Sequence, residues 1–228
     1  MEGTVSIFTF YIGSFQVVIS REVVWQWIAI LILGVTAFLL TRNLSSSKPT
    51  RKQVALELFY TKIEDLVKGN MGQDYVSYIP YVGTLMLYLL VLNLSGLVGI
   101  EPPTQSLGVT AGLGLSTFIV LNATAFKRNG VNGYFKAYVK PYGFLLPINI
   151  LERIVLPCSL ALRLYGNMLA GTLLIDLVYT NAIAHFWPAA VGAPMILHGY
   201  FDLFDGTIQM IVFSMLTMAN IKVTADHH

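Results

Sequence analysis

Arg163 places a permanent positive charge in the middle of SLALRLYGNMLAG, residues Ser159 to Gly171 of an otherwise apolar stretch. An arginine at the centre of a membrane helix costs at least roughly 2.5 to 3.5 kcal/mol to insert, so something must offset it. Arginine stays protonated inside a protein, where a buried lysine can lose its charge. It therefore carries no protons itself, but it attracts a carboxylate, favours that carboxylate's ionised form and repels protonated groups. On a helix, Glu152, Ser159 and Asn167 fall within about 40° of Arg163 and form one polar stripe, while Thr172 and Asp176 fall about 180° and 220° round from it. Two polar faces on one helix suggest two separate polar routes that meet near one charge.

A second stripe follows. His198, Asp202, Asp205, Gln209, Phe213, Leu216 and Asn220 succeed one another at three or four residues, the spacing of one helix face. Carboxylates in a wet cleft exchange protons with water, so Asp202 and Asp205, with Asp176 and His198, are candidates to line a hydrated entrance. There are plainer readings. Asp176, Asp202, Asp205 and His198 also fit interfacial helix ends, His185 beside Trp187 fits a loop, and His227 and His228 fit a terminus fraying into solvent. Arg163 fits none of these, because snorkelling from mid-span is difficult.

The chain that must position these residues has 228 of them, 55% hydrophobic and only 11% charged. Soluble domains carry roughly 25% charged residues, so the composition is that of a membrane protein. The single cysteine, Cys158, excludes an internal disulfide and a clustered Cys/His metal site and reads as a small packing residue; no metal or cofactor is expected. A net charge of +2 is too small to suggest a nucleic-acid partner.

The expected fold is all-α, a single integral membrane domain over 1–228 with about five membrane helices. The first 22 residues lack the basic start and small-residue cleavage site of a signal peptide and read as retained. Spans are expected over 23–41, with Trp25 and Trp27 near one interface, then 75–100, 107–126, 144–179 and 195–223. Gly108 and Gly112, four apart in the third span, favour close helix packing. Between the first two spans, Ala55, Leu58, Phe59, Ile63 and Leu66 recur at helical spacing over 50–68. Thr50 and Gln53 fit a capping box there, and Gly69 with Asn70 a stop. This segment reads as a cytoplasmic amphipathic helix lying on the membrane surface. The 144–179 stretch would be about 54 Å long as a helix, nearly twice the bilayer core, so either Pro147 and Pro157 break it or it tilts strongly.

Five crossings put the termini on opposite sides. Segments 42–74, 127–143 and 222–228 hold six, four and one basic residues, against one, none and none in 1–22, 101–106 and 180–194. The positive-inside rule then puts the N-terminus outside and the C-terminus in the cytoplasm.

PINILERIVLPCSLALRLYGNMLAG followed by DLFDGTIQMIVFSMLTMANI resembles subunit a of the F-type ATP synthases, from the second span onward. The resemblance implies a non-catalytic stator subunit whose last two long, tilted helices wrap the rotating ring of c subunits, with peripheral-stalk b subunits as further partners. It gives Arg163 the place of the family's essential arginine, matches Asn167 and Gln209 to the polar residues flanking it, and matches Glu152 to a carboxylate of the cytoplasmic route. Where relatives carry Glu or His, this chain has Thr172 and Asp202, so Asp176 and Asp202 are assigned to the outer route by placement. The implied activity is translocation of an ion, expected to be a proton, and the expected location a bacterial plasma membrane. Read without the resemblance, the same residues also fit a self-contained transporter or channel whose Arg163 binds an anionic substrate.

Overall fold

The computed structural model describes residues 6–12, 15–42, 50–139, 144, 146–185 and 196–226. The segment 186–195 and His227 and His228, and with them the readings given above to that connection and to the terminal histidines, lie outside the described residues, as does the side chain of His185.

Strands β1 (Ser6–Ile12) and β2 (Phe15–Ser20) pair antiparallel. Their Ile, Phe, Tyr, Val and Thr residues favour extended backbone, and among the described residues this hairpin is the addition to the expected helices. Among the described residues, five helices are long and apolar enough to cross a membrane: Arg21–Thr41, Gln73–Val98, Leu107–Gly130, Leu146–Thr180 and Ile196–Ala225. The first is α1 (Arg21–Thr41), which has no buried residue and stands at the edge of the bundle.

Helix α2 (Arg51–Asn70) begins at Thr50, whose hydroxyl accepts from the Gln53 amide at 3.4 Å. The Gln53 side chain turns forward to Glu57, 2.8 Å away, so this contact does not close the reciprocal capping box. The helix runs through Gly69 and Asn70, and the chain turns only at Gly72, whose φ of 106° suits glycine. Ile63 and Val67 are buried, while Val54, Leu58 and Phe59 stay open. One edge of the apolar stripe thus packs on the bundle and the rest faces outward.

A 3-10 turn at Gln73–Tyr78 leads into α3 (Ile79–Leu94), and 3-10 turns at Ser95–Val98 and Pro103–Gln105 lead on to α4 (Leu107–Val139), kinked at Gly130. Helix α5 (Leu146–His185) is continuous, with Pro157 inside it. Neither proline breaks it, and its 40 residues make a rod about 60 Å long, too long to stand perpendicular in a bilayer. The last span is π-helical over Gly199–Asp205 and α-helical over α6 (Gly206–Asp226).

Two apolar clusters hold the bundle. Ile63, Val67, Met71, Tyr75, Val82, Leu121, Met218 and Ile221 join α2, α3, α4 and α6 at one end. Leu85, Leu89, Leu113, Leu160, Leu164, Met210 and Phe213 join α3 to α6 at the middle. The close helix contact falls on Gly114, not on Gly108 and Gly112. A Cβ on Gly114 would lie 2.7 Å from the Pro157 carbonyl oxygen, whereas one on Gly112 would meet nothing within 4 Å and one on Gly108 only Ser106 Oγ at 3.7 Å. Cys158 is exposed rather than packed.

Candidate functional site

Helix α5 buries Leu160, Leu164, Met168 and Ile175 against its neighbours, a stripe at helical spacing. Arg163 lies one residue off that stripe and is exposed, as are Glu152, Ser159, Asn167 and Asp176. Around them the open face is apolar, with Leu151, Val155, Leu162, Leu173 and Leu177 all unburied. Among the described residues Arg163 forms no hydrogen bond or ion pair.

Asn167 and Gln209 meet: Asn167 Nδ2 donates to Gln209 Oε1 at 2.9 Å. Gln209 is 3% exposed, and its Nε2 is buried with no hydrogen-bond partner among the described residues. The two sequence stripes, on α5 and α6, therefore touch one helical turn from Arg163.

At the end of the bundle where the π section lies, His198 Nδ1 and Asp202 Oδ2 are 2.7 Å apart. Asp202 is buried, Asp205 half-buried, and the His198 ring lies 6.2 Å from that of Tyr179 on α5. Asp176 offers its main-chain carbonyl to Thr180 at 2.9 Å, and its side chain lies on the exposed surface. Thr172 donates to the Met168 carbonyl at 3.0 Å and accepts from Gln105 Nε2.

Several members of this polar end are absent from the sequence stripes. Asn93 is fully buried; its Nδ2 donates to the Gly206 carbonyl at 2.9 Å and its Oδ1 accepts from Thr104 at 3.2 Å. Gln105 reaches α5 from the short connection before α4. An amide inside the apolar run YLLVLNLSG was the signal for Asn93, since a polar side chain among apolar ones needs a partner. At the opposite end Arg153 Nη1 lies 3.5 Å from Asn122 Oδ1, and with Thr117 and Asn220 it lines a cavity of about 10 Å³ between α4, α5 and α6, about the space of one water.

Residues 23–222 match the family model described as ATP synthase A chain. The chain is similar to ATP synthase subunit a of Moorella thermoacetica, 33% identical over 220 residues that cover 96% of both chains. It is also similar to the ATP synthase subunit a of Propionigenium modestum described as sodium ion specific, 34% identical over 226 residues, 92% of this chain and 75% of the relative. Subunit a 1 of Crocosphaera subtropica is 31% identical over 92% of each chain. With a match over nearly the whole chain and five apolar helices to carry it, this integral membrane protein belongs to the ATP synthase A chain family, the ion-translocating subunit a of F-type ATP synthases.

Proposed function

We propose that the open face of α5 meets the rotating c ring and that ions pass to and from a carboxylate on subunit c through two offset half-channels, with Arg163 between them. The observation that carries this reading is Arg163 itself. It is a fixed cation in the middle of an apolar helix, and no partner among the described residues offsets its charge. A carboxylate supplied by another chain is the group its charge calls for.

In the direction of synthesis a proton enters from outside past Asp202 and Asp176 and neutralises the carboxylate on c. The neutral site then rotates into lipid. After nearly a full turn it reaches the inner route near Glu152, where Arg163 favours the ionised form and release to the cytoplasm. Asn167 and Gln209, joined beside Arg163, hold the border between the routes. Each ion carries about 2.3 kcal/mol per 100 mV, so several per turn drive rotation. The chain itself is non-catalytic, with the c ring and the peripheral-stalk b subunits as partners. Its N-terminus lies outside and its C-terminus in the cytoplasm of a bacterial plasma membrane, supported by the excess of Lys and Arg in 42–74 and 127–143.

The His198–Asp202 hydrogen bond favours the proton as the coupling ion, since it joins an imidazole and a carboxyl, two groups able to carry a proton.

Arg163→Ala in the whole complex, reconstituted in vesicles, tests the reading. ATP synthesis driven by an ion gradient is expected to vanish, and full coupled synthesis would overturn it. Leu162→Cys in a Cys158→Ser background adds a test of the partner: oxidation should cross-link it to a cysteine placed on subunit c.

A further inference from the structure

Two glycines face each other's helices at the polar end of the bundle. A Cβ on Gly96 would lie 2.6 Å from Cγ, 2.6 Å from Oδ2 and 2.7 Å from Oδ1 of Asp202. A Cβ on Gly206 would lie 3.0 Å from Asn93 Cβ. Helix α3 and the turn after it thus receive the carboxyl of Asp202, while the last helix receives Asn93, whose Nδ2 bonds the Gly206 carbonyl. On the other flank of the π section, Phe201 lies against Gly171 of α5, with a hypothetical Cβ 3.1 Å away.

Gly96 is not required by its backbone. Among the described glycines φ is positive at Gly72, Gly99 and Gly130 but not at Gly96, so its conformation is open to residues with a side chain. What Gly96 supplies is space. The Asp202 carboxyl fills that space; the residue is 6% exposed, and its Oδ2 lies 2.7 Å from His198 Nδ1.

We propose that Gly96 is a positioning residue for the outer ion route: its missing side chain forms the socket that seats the Asp202 carboxyl against His198. The proposal rests on the assignment of Asp202 to that route. Packing in protein interiors is close enough that a methyl group in the socket must push the carboxyl out. The carboxyl would then leave His198. Besides His198 and Asp202, the section carries Tyr200 and Asp205, and among the described side chains the halves of α3 and α5 at this end of the bundle carry Tyr88, Asp176 and Tyr179.

The test measures ATP synthesis by the reconstituted whole complex as a function of the pH on the entry side, together with co-purification of subunit c. Gly96→Ala is expected to assemble, to lose rate severalfold and to move the half-maximal pH by about one unit, the scale on which a changed hydrogen-bond partner shifts a carboxyl. Gly108→Ala, which meets only an ordinary contact, should match the unmodified complex. In an Asp202→Asn background, Gly96→Ala should add no further displacement of the pH profile. Should Gly96→Ala alone fail to assemble, assembly restored by Gly96→Ala with Asp202→Ala supports the socket, and failure of both variants overturns it. An unchanged pH profile for Gly96→Ala beside an altered one for Asp202→Asn overturns the proposal alone. An unchanged profile for Asp202→Asn removes the route assignment, and the proposal falls with it.

Discussion

Asn167 on α5 donates a hydrogen bond of 2.9 Å to Gln209 on α6, and the acceptor is buried while the donor lies on the open face beside Arg163. The bond ties the exposed surface to the interior. It also fixes the rotation of one long helix against the other where the charge is.

Gln209→Leu is expected to lower gradient-driven ATP synthesis by roughly two- to tenfold, the worth of one hydrogen bond. Asn167→Leu should do the same. The double variant should be little worse than either single one, because both remove the same contact. Initial rates in vesicles read the effect, and full additivity would show that the two side chains act apart.

Gly114→Ala should destabilise the bundle by about 1 to 3 kcal/mol, because its Cβ would have to displace the Pro157 carbonyl. Gly112→Ala, with open space around it, should stay within about 0.5 kcal/mol of the parent or gain slightly from helix propensity. Thermal unfolding of the two variants in the same detergent separates them.

Arg128 sits 3.9 Å from the centre of the Tyr75 ring and donates to the Asp74 carbonyl at 3.0 Å. Arg128→Ala is expected to cost about 0.5 to 1 kcal/mol of stability through the ring contact. Arg128→Lys should recover only part of it, because an ammonium lacks the flat face and the fork of donors. Limited proteolysis near the connection between α2 and α3 would show the loosening.

Asp202→Asn should slow proton-driven synthesis and alter its dependence on entry-side pH, whereas Asp176→Asn, on the exposed surface, should have the smaller effect. If the pair of changes together leaves the rate and the pH profile untouched, the entrance lies elsewhere. Hydrolysis by the whole complex should not depend on sodium; stimulation by sodium in the millimolar range would assign the other coupling ion.

What the sequence disclosed depended on how costly each residue is to place. Arg163, Asn167 and Gln209 stand out because polar groups inside apolar helices need a reason; spacing puts Asn167 near Arg163, while only the resemblance linked Gln209 to them. Five spans and the surface helix follow from runs of apolar residues and their period. The glycines were harder. Gly108 and Gly112 have the spacing of a packing motif, yet Gly114 makes the contact, because which face turns inward is settled by Leu113 and its partners on three other helices. Asn93, Thr104 and Gln105 belong to the polar end but come from a helix end and a short connection, where no periodicity marks them. For the long stretch a break at Pro147 and Pro157 and a strong tilt were both open; the helix continues through Pro157, packed against α4 at that point.

The π-helical section Gly199–Asp205 carries a further consequence. A π turn holds one residue more than an α turn, so it acts as a one-residue insertion that leaves the helix unbroken. Rewinding it to regular α geometry with every residue kept would swing His198 by about 100° relative to Gln209, whereas removing one residue would restore α geometry and leave the two faces nearly in phase. The last helix is in effect two rods with independent phase: one is set by the socket at Gly96, the other by the partner of Asn167. Drift in one could be absorbed at this joint without disturbing the other.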